Sequence, residues 1–230
     1  MLNLIIADAE VEQVPKELAS HRTIGWLAWR KGRLPTEIIL NSSAHYEALR
    51  GFVDGDRRGR PDIVHMGLLF ALDTPLNREG LLRTYVHTRN NQIIKIDPSV
   101  RLPRMQNRFE GLLEQLFLVG AAPPEKPLLK LKKGTLKGLV EGLKSRRVIT
   151  FSDRGKRRSI SEAYAGLSRD DDVCVIVGGF PRGDFLSNVN SISDEMVSID
   201  PEQLTAPTVV ARAIYTYEET LGITRSRLAR

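Results

Sequence analysis

The chain has 230 residues, 41% of them apolar, enough for a sizeable core in one large domain or two small ones. Its 34 basic and 28 acidic residues leave a formal charge of +6, too modest to name a partner, and its single cysteine, Cys174, excludes an internal disulfide. No run reaches the roughly 18 apolar residues of a membrane span, and the opening "MLNLIIADAE" lacks the basic flank and cleavage site of a signal peptide, so a soluble cytoplasmic protein is expected.

Short β-rich runs bounded by turn residues predict largely buried strands at 2–7, 37–40, 66–72, 148–151, 173–177 and 196–199. Helical periodicity falls at 43–52, 109–119, 135–143 and 208–221. This alternation predicts an α/β fold with a mainly parallel sheet. One segment departs from it. In "RTYVHTRNNQIIKID" the side chains alternate about Asn90-Asn91, which tolerate the left-handed conformation of a tight turn, so 83–97 reads as an antiparallel hairpin inserted in the α/β body. Pro123, Pro124 and Pro127 mark a stiff connector. With no repeat and no compositional break, residues 1–230 read as one domain of two lobes. The last helical stretch aligns Val209, Val210, Ala213, Ile214, Tyr217 and Leu221 in one wide stripe, either core or a dimer face.

Several chemistries are excluded. His21, His45, His65 and His87 are scattered, and with one cysteine they offer no zinc spacing, so no metal is expected. His65 and His87 sit in or beside strand-like runs and read as structural. The chain has no G-x-x-x-x-G-K-[ST] loop, no G-x-S-x-G elbow and no G-x-G-x-x-G fingerprint.

The bases are more informative, because they cluster at Arg57, Arg58 and Arg60, at 101–108, along 126–144 and at 156–158, while acids gather at 170–172. In "DPSVRLPRMQNRFEGLLEQLF", Pro103 suits the first turn of a helix, and Phe109, Leu112, Leu113, Leu116 and Phe117 show that a helix follows. Arg104 and Arg108 then share a face and Arg101 lies one extended step upstream. Three guanidinium groups at the positive end of a helix call for an anion, and forked donors suit phosphate. The alternative is a solvated face with internal partners such as Asp97 or Glu110. In "GDRRGRPDIVHMGLLFALDTPLN", Arg60 and Asp62 flank a proline ahead of an apolar run; the carboxylate either fixes Arg60 toward a ligand or forms a plain loop ion pair. In "VCVIVGGFPRGDF" the buried strand holding Cys174 ends in Gly178-Gly179, and Gly183 closes the loop, where ligands of open α/β sheets bind.

Taken together, "RPDIVHMGLL", "LDTPLN", "IDPSVRLPRMQNRFEGLLEQL", "VGGFPRG" and "LTAPTVVARAIYTYEETLGI" resemble the pseudouridine N1-methyltransferase family of ribosome biogenesis, within the SPOUT trefoil-knot superfamily. The R-x-P-R-x-x-x-R-F stretch is the most specific part, and the likeness spans nearly the whole chain. The resemblance implies a C-terminal trefoil knot with an insertion around 73–105, which unknotted-fold rules would not anticipate. It also implies a homodimer that uses S-adenosyl-L-methionine to methylate N1 of a pseudouridine in small-subunit (16S) ribosomal RNA. By the same resemblance, Arg60, Arg101, Arg104 and Arg108 bind RNA, and Asp62 steadies Arg60. The methyl-donor loops fall on Phe151, Gly178 and Gly183 and on Ile199, Asp200, Pro201, Glu202, Gln203 and Leu204. Two departures, "IDPEQLTAP" for an S-x-Y-P-L-S-A-like pattern and "GGFPRGDF" for G-A-x-x-x-G, shift the expected donor contacts toward backbone groups. Arg60 and Asp62 are the expected catalytic pair, with Asp62 an orienter of Arg60 rather than a base. The competing expectation is a non-catalytic assembly factor that binds ribosomal RNA and uses the knot as a dimer scaffold.

Overall fold

The computed structural model describes residues 1–229. Buried β-branched runs build β1 (Leu2–Ala9), β6 (Arg147–Arg157), β7 (Val173–Gly178) and β8 (Glu195–Ser198). They are joined by β2 (Leu82–Thr88), β3 (Gln92–Ile96), β4 (Ala121–Ala122) and β5 (Leu129–Lys133) in one sheet of order β4-β5-β3-β2-β1-β7-β6-β8. The five strands from β2 to β8 are mutually parallel, while β3, β5 and β4 extend the sheet antiparallel. The hairpin turns at Asn91, whose φ of 53° is the left-handed conformation its sequence suggested. Its first arm, β2, pairs in parallel with β1, so the hairpin continues the central sheet.

Nine helices complete the described residues: α1 (Arg22–Arg30), α2 (Tyr46–Leu49), α3 (Pro61–Leu72), α4 (Pro75–Arg78), α5 (Gln106–Val119), α6 (Leu136–Leu143), α7 (Ile160–Ala163), α8 (Ala206–Thr220) and α9 (Ile223–Leu228). Three expectations need correction. The apolar run 66–72 is the second half of α3, not a strand. Ile63, Val64, Leu68 and Ala71 are buried while Leu69 and Leu72 also pack on the core, so the helix is apolar on most sides and shows no helical period. Residues 37–40 make one bridge, Gln13 with Ile39, after a 3-10 turn at Pro35–Glu37. Of 43–52 only Tyr46–Leu49 is α-helical. The stripe on α8 resolves as core: Val210, Ala213, Ile214 and Tyr217 are buried, and Tyr217 meets Tyr164 edge-on at 5.4 Å.

The C-terminal path positions the site. β8 pairs with β6 at the sheet edge, yet α8 packs on α3 and β7 nearer the middle. The chain therefore turns back after β8, from the sheet edge toward its middle. The returning segment, 199–205, faces the loops that leave β6 and β7.

Candidate functional site

The carboxyl ends of β6, β7 and β8 line a cleft, at the end of the strands where ligands of open α/β sheets bind. Phe151, Val177, Gly178, Ile199, Leu204 and Val209 give it apolar walls. Two glycines shape its rim. At Gly179 a Cβ would meet the Ala9 Cα at 2.8 Å, so only glycine lets this loop cross β1, and Gly183 has a φ of +80°. Asp8 pins the far end of the same loop by accepting from the Ser187 N–H and hydroxyl, both at 2.8 Å. Burial pushes the Asp8 carboxyl upward in pKa, but hydrogen bonds from His87 and Ser187 outweigh it and hold the group below its usual range. His87, buried between Asp8 and Asn91, is thus structural.

The polar lining of the cleft is one-sided. Asp153, Asp184, Asp200 and Glu202 reach it, and no lysine or arginine does. Arg154 pairs with Asp184 at 2.7 Å and Arg212 approaches Asp200 at 3.7 Å from outside, leaving Asp153 and Glu202 without ion pairs among the described residues. Such a lining favours a cation and repels a phosphate-bearing nucleotide. Of the residues assigned to donor binding, Phe151, Gly178, Gly183, Ile199, Asp200, Glu202, Gln203 and Leu204 line this cleft. Pro201 instead faces the neighbouring hollow beside Arg157 and Arg212.

Phe180, Gln203, Leu204 and Ala206 form a wall shared with a second hollow, which Arg60, Asp62, Ile63 and Met66 also line. Pro61 opens α3 at its first position, placing Arg60 at the N-cap and Asp62 in the first turn. The pair is bidentate: Arg60 Nε and Nη2 donate to the two Asp62 oxygens at 2.9 and 2.8 Å. These hydrogen bonds raise the Arg60 pKa further. Nη1 takes no part in the pair, and the side chain stays one-third exposed.

Arg57 and Arg58 do not join Arg60 in an open basic patch. Arg58 forms a two-point pair with Glu12, and Arg57 Nε donates to fully buried Glu10 at 2.5 Å. Arg89 holds the other Glu10 oxygen at 2.6 Å. Arg57 also donates to the Asp184 carbonyl at 2.6 Å and stacks 4.1 Å above the Phe180 ring. The Glu10 backbone accepts from Arg60 and donates to Gly179. Glu10 and Arg57 therefore brace both hollows, a role the sequence reading missed. The available signal was Glu10 and Glu12, two acids placed just beyond a largely apolar strand.

Arg101 and Arg104 line a third hollow, with Phe70, Asp73 and Arg78, along the opposite half of α3. Arg108 is exposed in the first turn of α5, which has no acid and no side-chain cap. That helix starts at Gln106, so Pro103 lies outside it, where its carbonyl meets His65 at 2.7 Å. The internal partners considered for these arginines are engaged elsewhere: Asp97 binds Ser99, and Glu110 binds Asn41 and Gln106. Among the described residues, the side chains of Arg101, Arg104 and Arg108 form no ion pair or hydrogen bond, leaving their charge for an external anion. No group of residues suited to a metal occurs among the described residues, and no described helix is long and apolar enough to cross a membrane.

The crystal structure of Archaeoglobus fulgidus Nep1 bound to S-adenosylhomocysteine matches this chain with a TM-score of 0.83 at 34% identity, covering 95% of this chain and 97% of that one. The fold is that of a SPOUT-class methyltransferase. The ribosomal RNA small subunit methyltransferase Nep1 of Thermococcus kodakarensis is 45% identical over 226 residues, 97% of this chain and 100% of its own length. The protein of that name from Pyrobaculum neutrophilum is 41% identical over 222 residues, 96% of this chain and 99% of its own. Residues 4–218 match the EMG1/NEP1 methyltransferase family, and the chain belongs to it.

Proposed function

We propose that this chain, acting as one methyltransferase domain, transfers a methyl group from S-adenosyl-L-methionine to N1 of a pseudouridine in small-subunit ribosomal RNA, in the cytoplasm, during ribosome biogenesis. The observation that carries this reading is that Phe180, Gln203, Leu204 and Ala206 border both an acidic cleft without lysine or arginine and the hollow of Arg60, so that the two adjoin. A cationic donor in one and an acceptor base in the other would meet at that border.

S-adenosylmethionine supplies an electrophilic methyl on a positively charged sulfonium. The cleft fits it chemically. Ile199, Leu204, Val209 and Phe151 offer apolar surface to an adenine, the loop backbone at Gly178 and Gly183 offers donors and acceptors, and Asp153 and Glu202 offer negative charge. Across the wall, loss of the N1 proton leaves negative charge on the base, and Arg60 Nη1 is the free donor positioned to stabilise it. Asp62 spends both oxygens on Arg60, so it orients rather than accepts the proton. Arg101, Arg104 and Arg108 hold phosphates around the target, which is unstacked from a single-stranded loop into the hollow. The reading includes a homodimer, as the resemblance implies.

The decisive measurement is mass spectrometry of small-subunit ribosomal RNA incubated with protein and donor. One added methyl on N1 of a single pseudouridine is expected; donor binding with the methyl on another base, or on none, would overturn the specificity. Calorimetry with S-adenosylhomocysteine should show one site per chain, and its absence would leave only a binding scaffold. Arg104→Ala should weaken RNA binding and flatten the log-log salt dependence by about 0.7–0.9 for the lost phosphate contact. An unchanged slope would remove Arg104 from the RNA surface.

A further inference from the structure

Both tryptophans of the chain, Trp26 and Trp29, sit on α1 and face outward, 52% and 76% exposed. Ile24 and Ala28 form the buried side of this helix. On its outer side Arg22, Trp26, Trp29 and Arg30 follow one another at helical spacing, with Arg33 just beyond, and no acid interrupts them between Glu17 and Glu37. The Arg30 guanidinium lies 4.7 Å over the Trp26 ring. The side chains of Arg22, Arg30 and Arg33 have no ion-pair or hydrogen-bond partner among the described residues.

We propose that this stripe is a second RNA contact, taking unpaired bases that flank the methylation target. The inference rests on the RNA-binding reading given above. Indole faces stack on any base, and interleaved guanidinium groups follow a phosphate backbone, which together are the requirements of single-stranded RNA. The stripe is also fastened to the target side of the molecule. Lys31, just past α1, pairs with Glu114 of α5 at 2.6 Å, and Glu114 also accepts from the Ile39 N–H. Glu114 lies six residues after Arg108 on the same helix, about 9 Å along its axis.

The two tryptophans make the test specific, because the chain's indole emission reports on this stripe alone. End-labelled single-stranded oligoadenylate is titrated into the full chain at low salt, with label anisotropy and tryptophan emission recorded together. The expected result is quenching that tracks binding, affinity at least about fivefold weaker in Trp29→Ala, and a shallower salt dependence of binding with loss of the quenching in the Arg22→Glu, Arg30→Glu, Arg33→Glu variant. S-adenosylhomocysteine affinity stays unchanged in both variants, which shows that they are folded. Binding by anisotropy with constant emission and an unaltered Trp29→Ala affinity would overturn the stripe while leaving RNA binding intact. No binding of oligoadenylate or of small-subunit ribosomal RNA by either signal would overturn the RNA reading as well. Equal quenching by polyglutamate would assign the stripe to an acidic protein, and an emission change on dilution alone would assign it to a second copy of the chain.

Discussion

Arg60→Ala is expected to lower kcat for methyl transfer by about 10²–10³, the usual cost of removing one donor aimed at developing negative charge. The affinity for S-adenosylhomocysteine should stay unchanged, because Arg60 lies beyond the wall of the donor cleft. Arg60→Lys should recover little. An ammonium keeps the charge but cannot donate through two parallel N–H groups to both oxygens of Asp62, so its direction is lost. Asp62→Ala should give a smaller loss of the same kind, since it frees the guanidinium without removing it. Single-turnover methyl incorporation separates this from simple substrate binding. A rise in KM at constant kcat would make Arg60 a phosphate or base anchor with no special role in the transition state.

Glu10→Ala is expected to destabilise the protein by about 3–5 kcal/mol, because it leaves the buried charge of Arg57 without its carboxylate and reduces Arg89 to its pairings with Asp54 and Glu12. For a chain of this size that corresponds to a fall in Tm of about 6–20 °C. The environment has no spare acceptor: Arg57 Nη2 is already buried with no partner, and the Glu10 and Arg57 side chains are 0% and 10% exposed. Donor affinity should fall as well, since Arg57 holds the Asp184 carbonyl and the Phe180 ring of the cleft loop. Thermal unfolding with and without S-adenosylhomocysteine measures both effects. A shift of only one or two degrees would mean that water or rearranged side chains replace Glu10 at little cost, and the network would not brace the loop.

The strands around Cys174 and Ile149 were legible because parallel strands buried on both faces are continuous apolar runs. The hairpin was legible because Asn90-Asn91 interrupts a clean alternation. The α3 segment failed for the opposite reason: a helix wedged among the sheet, α5 and α8 is apolar all round and loses its period. β5, "LKLKK", was missed because an outer strand with alternating leucine and lysine is short and highly charged. At the site, the Arg60–Asp62 pair followed from spacing alone, and the donor loops from resemblance to relatives. What no local pattern carries is the partnership of Glu10 with Arg57 and Arg89, residues 47 and 79 positions away.

The return of the chain after β8 toward the middle of the sheet has a consequence for biosynthesis. Ile199, Gln203 and Leu204, which complete the donor cleft, lie on the returning segment, after every other wall of the cleft except Ala206 and Val209. A nascent polypeptide lacking that passage has no complete pocket, however well its earlier strands have paired. On the proposed donor assignment, a bound methyl donor marks a completed C-terminal half, and a ligand that binds only that form draws the last folding step toward completion.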